Sequence, residues 1–133
     1  MIKTFADFVR AIHEGKLFEV SDVAKELGCS IPIAVSAELW NSYLNLDGSI
    51  AAGQTKEARI WNVVHLLISA LKTGNHSLKE NSVVVTYTVH FAVNRMLTYV
   101  PLKAIIRRGI EGNAFVLIML ATEDEHLIAE SSE

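Results

Sequence analysis

The chain has 133 residues, enough for one domain with a core of its own. Half of the residues are apolar and the mean hydropathy is +0.29, yet no run reaches the roughly 18–20 apolar residues of a membrane-spanning helix. A single cysteine, Cys29, excludes an internal disulfide, and the net charge of −3 is unevenly spread.

The first stretch, "MIKTFADFVR", carries Asp7 and no run of small residues, so it does not read as a signal peptide. Together with the lone cysteine this makes a reducing cytoplasm the expected location. Thr4 and Asp7 have the spacing of a capping pair, and Phe5, Phe8, Val9 and Ile12 fall on one helical stripe that Gly15 ends. "KLFEV" (16–20) fits a short strand. Ser21 then opens a short helix that Gly28 closes. A third helix is expected from about Pro32, which a first helical turn tolerates, and it would carry Leu39, Trp40, Tyr43 and Leu44.

"NLDGSIAAGQ" (45–54) lacks periodicity and reads as a loop. A long helix is expected from about Lys56 to Lys72, with Trp61, Val64, Ile68 and Leu71 as its core stripe and Arg59 and Lys72 at its flanks. The pattern then changes to a period of two. In "SVVVTYTVHF" the odd positions Val83, Val85, Tyr87, Val89 and Phe91 are apolar, and Thr86, Thr88 and His90 face the other way. "MLTYVPLKAII" (96–106) reads as a second strand, with Pro101 requiring an edge or a bulge. "AFVLIML" (114–120) is apolar on both faces, as a central covered strand is. The last dozen residues hold five acids and no base and read as a frayed acidic tail.

The expected architecture is therefore α+β: an N-terminal layer of three to four helices packed on a C-terminal antiparallel sheet of three to four strands. Residues 1–122 form the domain and 123–133 the acidic tail.

"VSDVAKELGCSIPIAVSAEL" (20–39) has the outline of a helix-turn-helix. Its second segment, however, offers Ile31, Pro32, Ile33, Ala37 and Glu38, none of which reads base edges, and no base lies between Lys25 and Lys56. Sequence-specific binding of duplex DNA is not expected, and an ordinary helical pair in the core is the preferred reading.

Three stretches, "GKLFEVSDVAKELGCSIPIAVSAELW", "ARIWNVVHLLISALK" and "PLKAIIRRGIEGNAFVLIMLATED", together resemble a domain-of-unknown-function family of small proteins from bacteria, plasmids and phages. The resemblance spans about 15 to 124 and rests on Val20, Ser21, Ala24, Gly28, Pro32, Trp40, Trp61, Lys103 and "IML" before an acidic pair. The turn "RRGIEG" is more basic than the family's pattern. No activity is attached to the family, so the resemblance implies no catalytic residue. It implies a mobile-element setting and an accessory or anti-defence role.

The five histidines (13, 65, 76, 90 and 126) lack metal-ligand spacing, and Cys29 before a candidate helix start reads as a boundary residue rather than a reactive thiol. There is no Gly-x-Ser-x-Gly, no phosphate-cradling loop and no marked carboxylate pair. No enzyme, metal or cofactor is expected.

One constellation remains. A period of two places Arg95, Tyr99, Lys103 and Arg107 on one strand face, beside Thr86, Thr88 and His90 if the strands pair as a hairpin, and Arg108 follows directly. Basic groups around an aromatic suit single-stranded nucleic acid, a phosphate ligand or an acidic protein surface, and they also suit a merely solvated face. Arg95, Tyr99, Lys103, Arg107 and Arg108 are the candidate binding residues. The expected function is binding without catalysis: a mobile-element protein that engages a host protein complex, such as a defence nuclease of the CRISPR type. The alternative is a small-ligand or single-stranded nucleic-acid module using the same face. The apolar excess and the edge near Pro101 also suit a homodimer.

Overall fold

A computed structural model describes residues 2–45, 55–74, 76–79, 82–93, 96–109 and 112–130. The chain is α+β. Helix α1 (Phe5–His13) leads into strand β1 (Leu17–Glu19), α2 (Ser21–Glu26), β2 (Ile33–Ser36) and a three-residue α3 (Ala37–Leu39) that runs on as a π-helical turn (Trp40–Leu44). After the long α4 (Lys56–Lys72) come β3 (His76–Lys79), β4 (Ser82–Val93), β5 (Met96–Arg108), β6 (Ala114–Leu120) and α5 (Glu125–Glu130).

The described strands form one sheet in the order β1-β2-β6-β5-β4-β3. The expectation of a purely antiparallel sheet of three to four strands is corrected in two respects. The sheet has six strands, two of them in the N-terminal half, and β2 runs parallel to β6. The helices do not form one layer either: α2, the π-turn and α4 cover one face, and α1 and α5 lie against the other.

The helix expected from Pro32 starts only at Ala37, where Leu39, Trp40, Tyr43 and Leu44 do lie on helical turns; Ile33–Ser36 is strand β2 instead. All four of its residues are buried, with Ile33, Ala34 and Val35 set beside Val116, Leu117 and Ile118. A strand covered on both faces has no alternation, so a short apolar run such as Ile33–Val35 cannot be told from a buried helix by periodicity. The outline of a helix-turn-helix in 20–39 is therefore a helix followed by a strand, not a helical pair. The Ser21 hydroxyl secures the junction by accepting from the Ile33 amide at 3.1 Å and donating to Glu19 at 2.7 Å.

Other expectations hold. Thr4 and Asp7 make a reciprocal capping box on α1. Gly28 adopts a φ of +87° where α2 ends, a region that residues with a Cβ avoid. Strand β6 is central and its five inner residues are buried on both faces. On β4, Val85, Val89 and Phe91 point inward as the alternation required.

The buried stripe of α4 is turned from the expected one. Ile60, Val63, Val64, Leu67 and Ala70 are buried, whereas Trp61 is 40% exposed. Arg59 is part of the buried stripe. It is 4% exposed, not at the flank, and its guanidinium lies 5.0 Å over the Phe91 ring while donating to the carbonyls of Tyr43 and Ala92. A cation that reaches two carbonyls and an aromatic face is satisfied inside, which a hydropathy stripe does not register. Burial lowers its pKa from the ordinary guanidinium value.

The 45–54 loop expectation falls outside the described residues from 46 onward. The tail expected to fray forms α5 over 125–130, and 131–133 lie outside the described residues.

Phe91 is fully buried and stacks on Tyr43 at 5.5 Å as well as under Arg59. Phe91→Ala is expected to cost about 3–5 kcal/mol, measured by urea unfolding. A cost below about 1 kcal/mol would show that this joint is not part of the core. Asp7 has a second signature. Burial opposes its ionisation, but hydrogen bonds from the backbone of Lys3 and Thr4 outweigh that and hold its pKa below the ordinary carboxylate value. A carboxylate with a lowered folded pKa contributes stability above its unfolded pKa and loses it as pH falls through the folded one. The stability gap between the native chain and Asp7→Asn is therefore expected to be widest near neutrality and to close in acid.

Candidate functional site

Strand length sets the site. Strand β5 has 13 residues and β6 only 7. They pair from Leu102 to Arg108, while β3 reaches β4 only over Ser82–Val85. The remainder, Thr88–Val93 with Met96–Pro101, pairs only with itself among the described residues and projects as a two-stranded arm, with Thr86 and Tyr87 at its base opposite Lys103 and Leu102. The register runs without a skip from Val93↔Met96 to Ser82↔Arg107, so Pro101 introduces no bulge.

One face of the arm is clamped. Val89, Phe91 and Val100 are buried, and the Tyr87 hydroxyl donates to the Val63 carbonyl of α4 at 2.9 Å. Burial drives the Tyr87 pKa far above the ordinary phenol range, so that hydroxyl stays a donor. The other face is bare. Its exposed residues are Thr86, Thr88 and His90 on β4 and Leu97, Tyr99 and Pro101 on β5, with the half-buried Ala92 and Lys103 at its two ends. The His90 and Tyr99 rings lie 4.4 Å apart, centroid to centroid, across the paired strands. Leu97 is 61% exposed and Tyr99 66%. With Met96 at the tip, these are three of the four large apolar residues that the described surface exposes.

The structure separates the expected basic constellation. Tyr99, Lys103 and Arg107 do share a face with Thr86, Thr88 and His90, as the period of two required. Their charges do not point into a common site. Arg107 is 7% exposed and grips Glu125 with two hydrogen bonds, 2.8 and 3.1 Å, while also donating to the Ser82 hydroxyl and the Ile2 carbonyl. Lys103 donates to the Glu123 carbonyl. Arg108 falls on the opposite face by alternation and is exposed. Arg95 lies outside the described residues. The acidic segment after Leu120 is thus an internal partner. Glu123 accepts from the Ser36 hydroxyl at 2.6 Å and from the Leu120 amide at 2.8 Å, and Glu125 holds Arg107.

No sequence signal marked these pairs, because Arg107 and Glu125 are 18 residues apart and follow no helical or strand spacing. What could have marked the arm was the disparity in strand length: "MLTYVPLKAII" outruns "AFVLIML" in the sequence itself.

Elsewhere, an open cleft of about 430 Å³ is lined by Lys16, Ser36, Glu38, Glu123, Asp124 and Ile128. Its polar groups are largely spent: Lys16 pairs with Glu14 at 2.9 Å, Ser36 with Glu123, and Glu38 accepts from Ser42. His65 stacks on Trp61 at 4.5 Å on the outer side of α4. Among the described residues no three His, Cys, Asp or Glu side chains gather as a metal site would need, and no helix is long and apolar enough to cross a membrane. No family model, curated protein or solved structure matches the chain.

Breaking the Arg107–Glu125 pair from one side leaves a charge without its partner under α5. Glu125→Leu or Arg107→Met alone is expected to cost about 3 kcal/mol in urea unfolding, and the double variant considerably less than the sum. Additive costs would mean that the two groups do not act together.

Proposed function

We propose that the chain works by binding a protein partner, without catalysis, and that the bare face of the arm is its working surface. The observation that carries this reading is an exposed face, backed by α4, with two neighbouring apolar side chains and no Lys, Arg, Asp or Glu among Thr86, Thr88, His90, Leu97, Tyr99 and Pro101. Tyr and other aromatics are enriched at the centres of protein interfaces, and charged residues are depleted there. Clamping of the opposite face by α4 lowers the ordering cost of binding.

The same geometry weighs against the nucleic-acid alternative. Affinity for single strands needs cations along the backbone path as well as stacking rings. Tyr99 supplies a ring, but Lys103 and Arg107 are engaged by Glu123 and Glu125. The mobile-element setting implied by the sequence resemblance makes a host defence complex the first partner to test.

The test is a pull-down from host lysate with the native chain, with Leu97→Glu/Tyr99→Glu, and with Arg108→Glu as a control on the opposite face. A protein retained by the native chain and by Arg108→Glu, but lost by at least tenfold with the face variant, is the expected result. Retention by all three, or nucleic acid as the sole companion of the native chain, would overturn the proposal.

A further inference from the structure

The outer edge of the arm is an unfinished ladder. Met96–Val100 pairs with β4 on one side and, among the described residues, with no strand on the other. The Ala121 amide donates to the Pro101 carbonyl at 3.0 Å, so that carbonyl points away from β4. The amide and carbonyl of one strand residue point the same way, and residues two apart repeat the direction. Leu97 and Tyr99 therefore turn their N–H and C=O groups to the open edge. Pro101, which has no N–H to offer, stands where β6 gives out.

Natural sheets blunt exposed edges with charge, proline or a bulge. Between Met96 and Val100 there is none of these. The five residues also read alike from both ends: two apolar, one threonine, two apolar. A segment of that kind is complementary to itself in the antiparallel sense.

We propose that a second copy of this chain completes the edge, with β5 pairing antiparallel to β5 about a two-fold axis at Thr98. Leu97 of one copy then lies opposite Tyr99 of the other, twice, and each pair exchanges two backbone hydrogen bonds. On the bare face these become two aliphatic–aromatic cross-strand pairs, the kind that stabilises sheets. Met96 lies opposite Val100 on the clamped face. No formal charge occurs in the paired segment, so the two-fold axis brings no like charges together. Such an axis stands perpendicular to the sheet, so the bare faces of both copies lie side by side on one joined surface. The inference uses the edge of the arm rather than its face, and it stands or falls apart from the choice of partner.

The experiment is the mass of the purified full chain by light scattering across concentrations. Twice 14.7 kDa is expected. Leu97→Pro removes an N–H that the fold itself does not use and is expected to raise the dimer dissociation constant at least tenfold. A second variant does not depend on tolerance of proline. In a Cys29→Ser background, Thr98→Cys places two thiols across a non-hydrogen-bonded pair, about 4.5 Å between Cα atoms, within disulfide reach. Oxidation is expected to give a linked dimer on a non-reducing gel. A native chain that stays monomeric up to about 1 mM would overturn the proposal. A dimer that Thr98→Cys fails to link would overturn this register. Thr88→Glu, on the face and away from the edge, separates the two readings: it is expected to weaken partner capture and leave the dimer mass unchanged.

Discussion

Six residues of β5 extend past the end of β6, and much of the molecule's surface chemistry depends on that mismatch. A hairpin that outruns its sheet has two open edges and needs a face to rest on. Here α4 and the π-turn supply it, through Arg59, Tyr87, Phe91 and Tyr43. Isolated two-stranded ribbons are marginal in water, so an arm of this length persists because one face is buried. The unburied face then presents whatever the alternation places there: three polar side chains, two apolar ones and a proline. A threonine-rich face would be content with solvent. Leu97 and Tyr99 on the same face leave two large apolar side chains in solvent, and the proposed binding role rests on them.

Charge is handled in the opposite way. Lys103 and Arg107 at the base of the arm are turned inward, against α5 and the turn before it. Arg107 is anchored by Glu125, Ser82 and the Ile2 carbonyl, so one guanidinium ties the N-terminus, β4, β5 and α5 together. Such pairs are weak sources of net stability but costly to break from one side. Glu123 and Glu125 are part of the domain's closure.

Much of this was legible in the sequence, and the rest was hidden for definable reasons. The alternation in "SVVVTYTVHF" gave the inward face of β4, and the unbroken apolar run 114–120 gave a covered central strand. The period of two on β5 correctly set Tyr99, Lys103 and Arg107 on one face. Three things escaped. Strand β2 is buried on both sides, so "IAVS" has no alternation to read. Arg59 is buried by backbone carbonyls and an aromatic ring, and a hydropathy stripe counts it as exposed. The fate of Lys103 and Arg107 depended on partners 18 to 20 residues away in the chain, a distance over which one sequence carries no pairing signal. A row of basic residues on one face is a statement about side-chain direction, and whether the charges are free is decided by the next layer of structure.

Site-specific photo-crosslinking in the host tests most directly whether the bare face of the arm is the working surface. A benzophenone side chain placed at Thr88, in the middle of that face, is predicted to capture a discrete protein, while the same group at Lys25 on α2 or at His65 on α4 captures none. Capture from Lys25 or His65, with nothing from Thr88, would contradict the account and move the working surface to the helical side of the sheet.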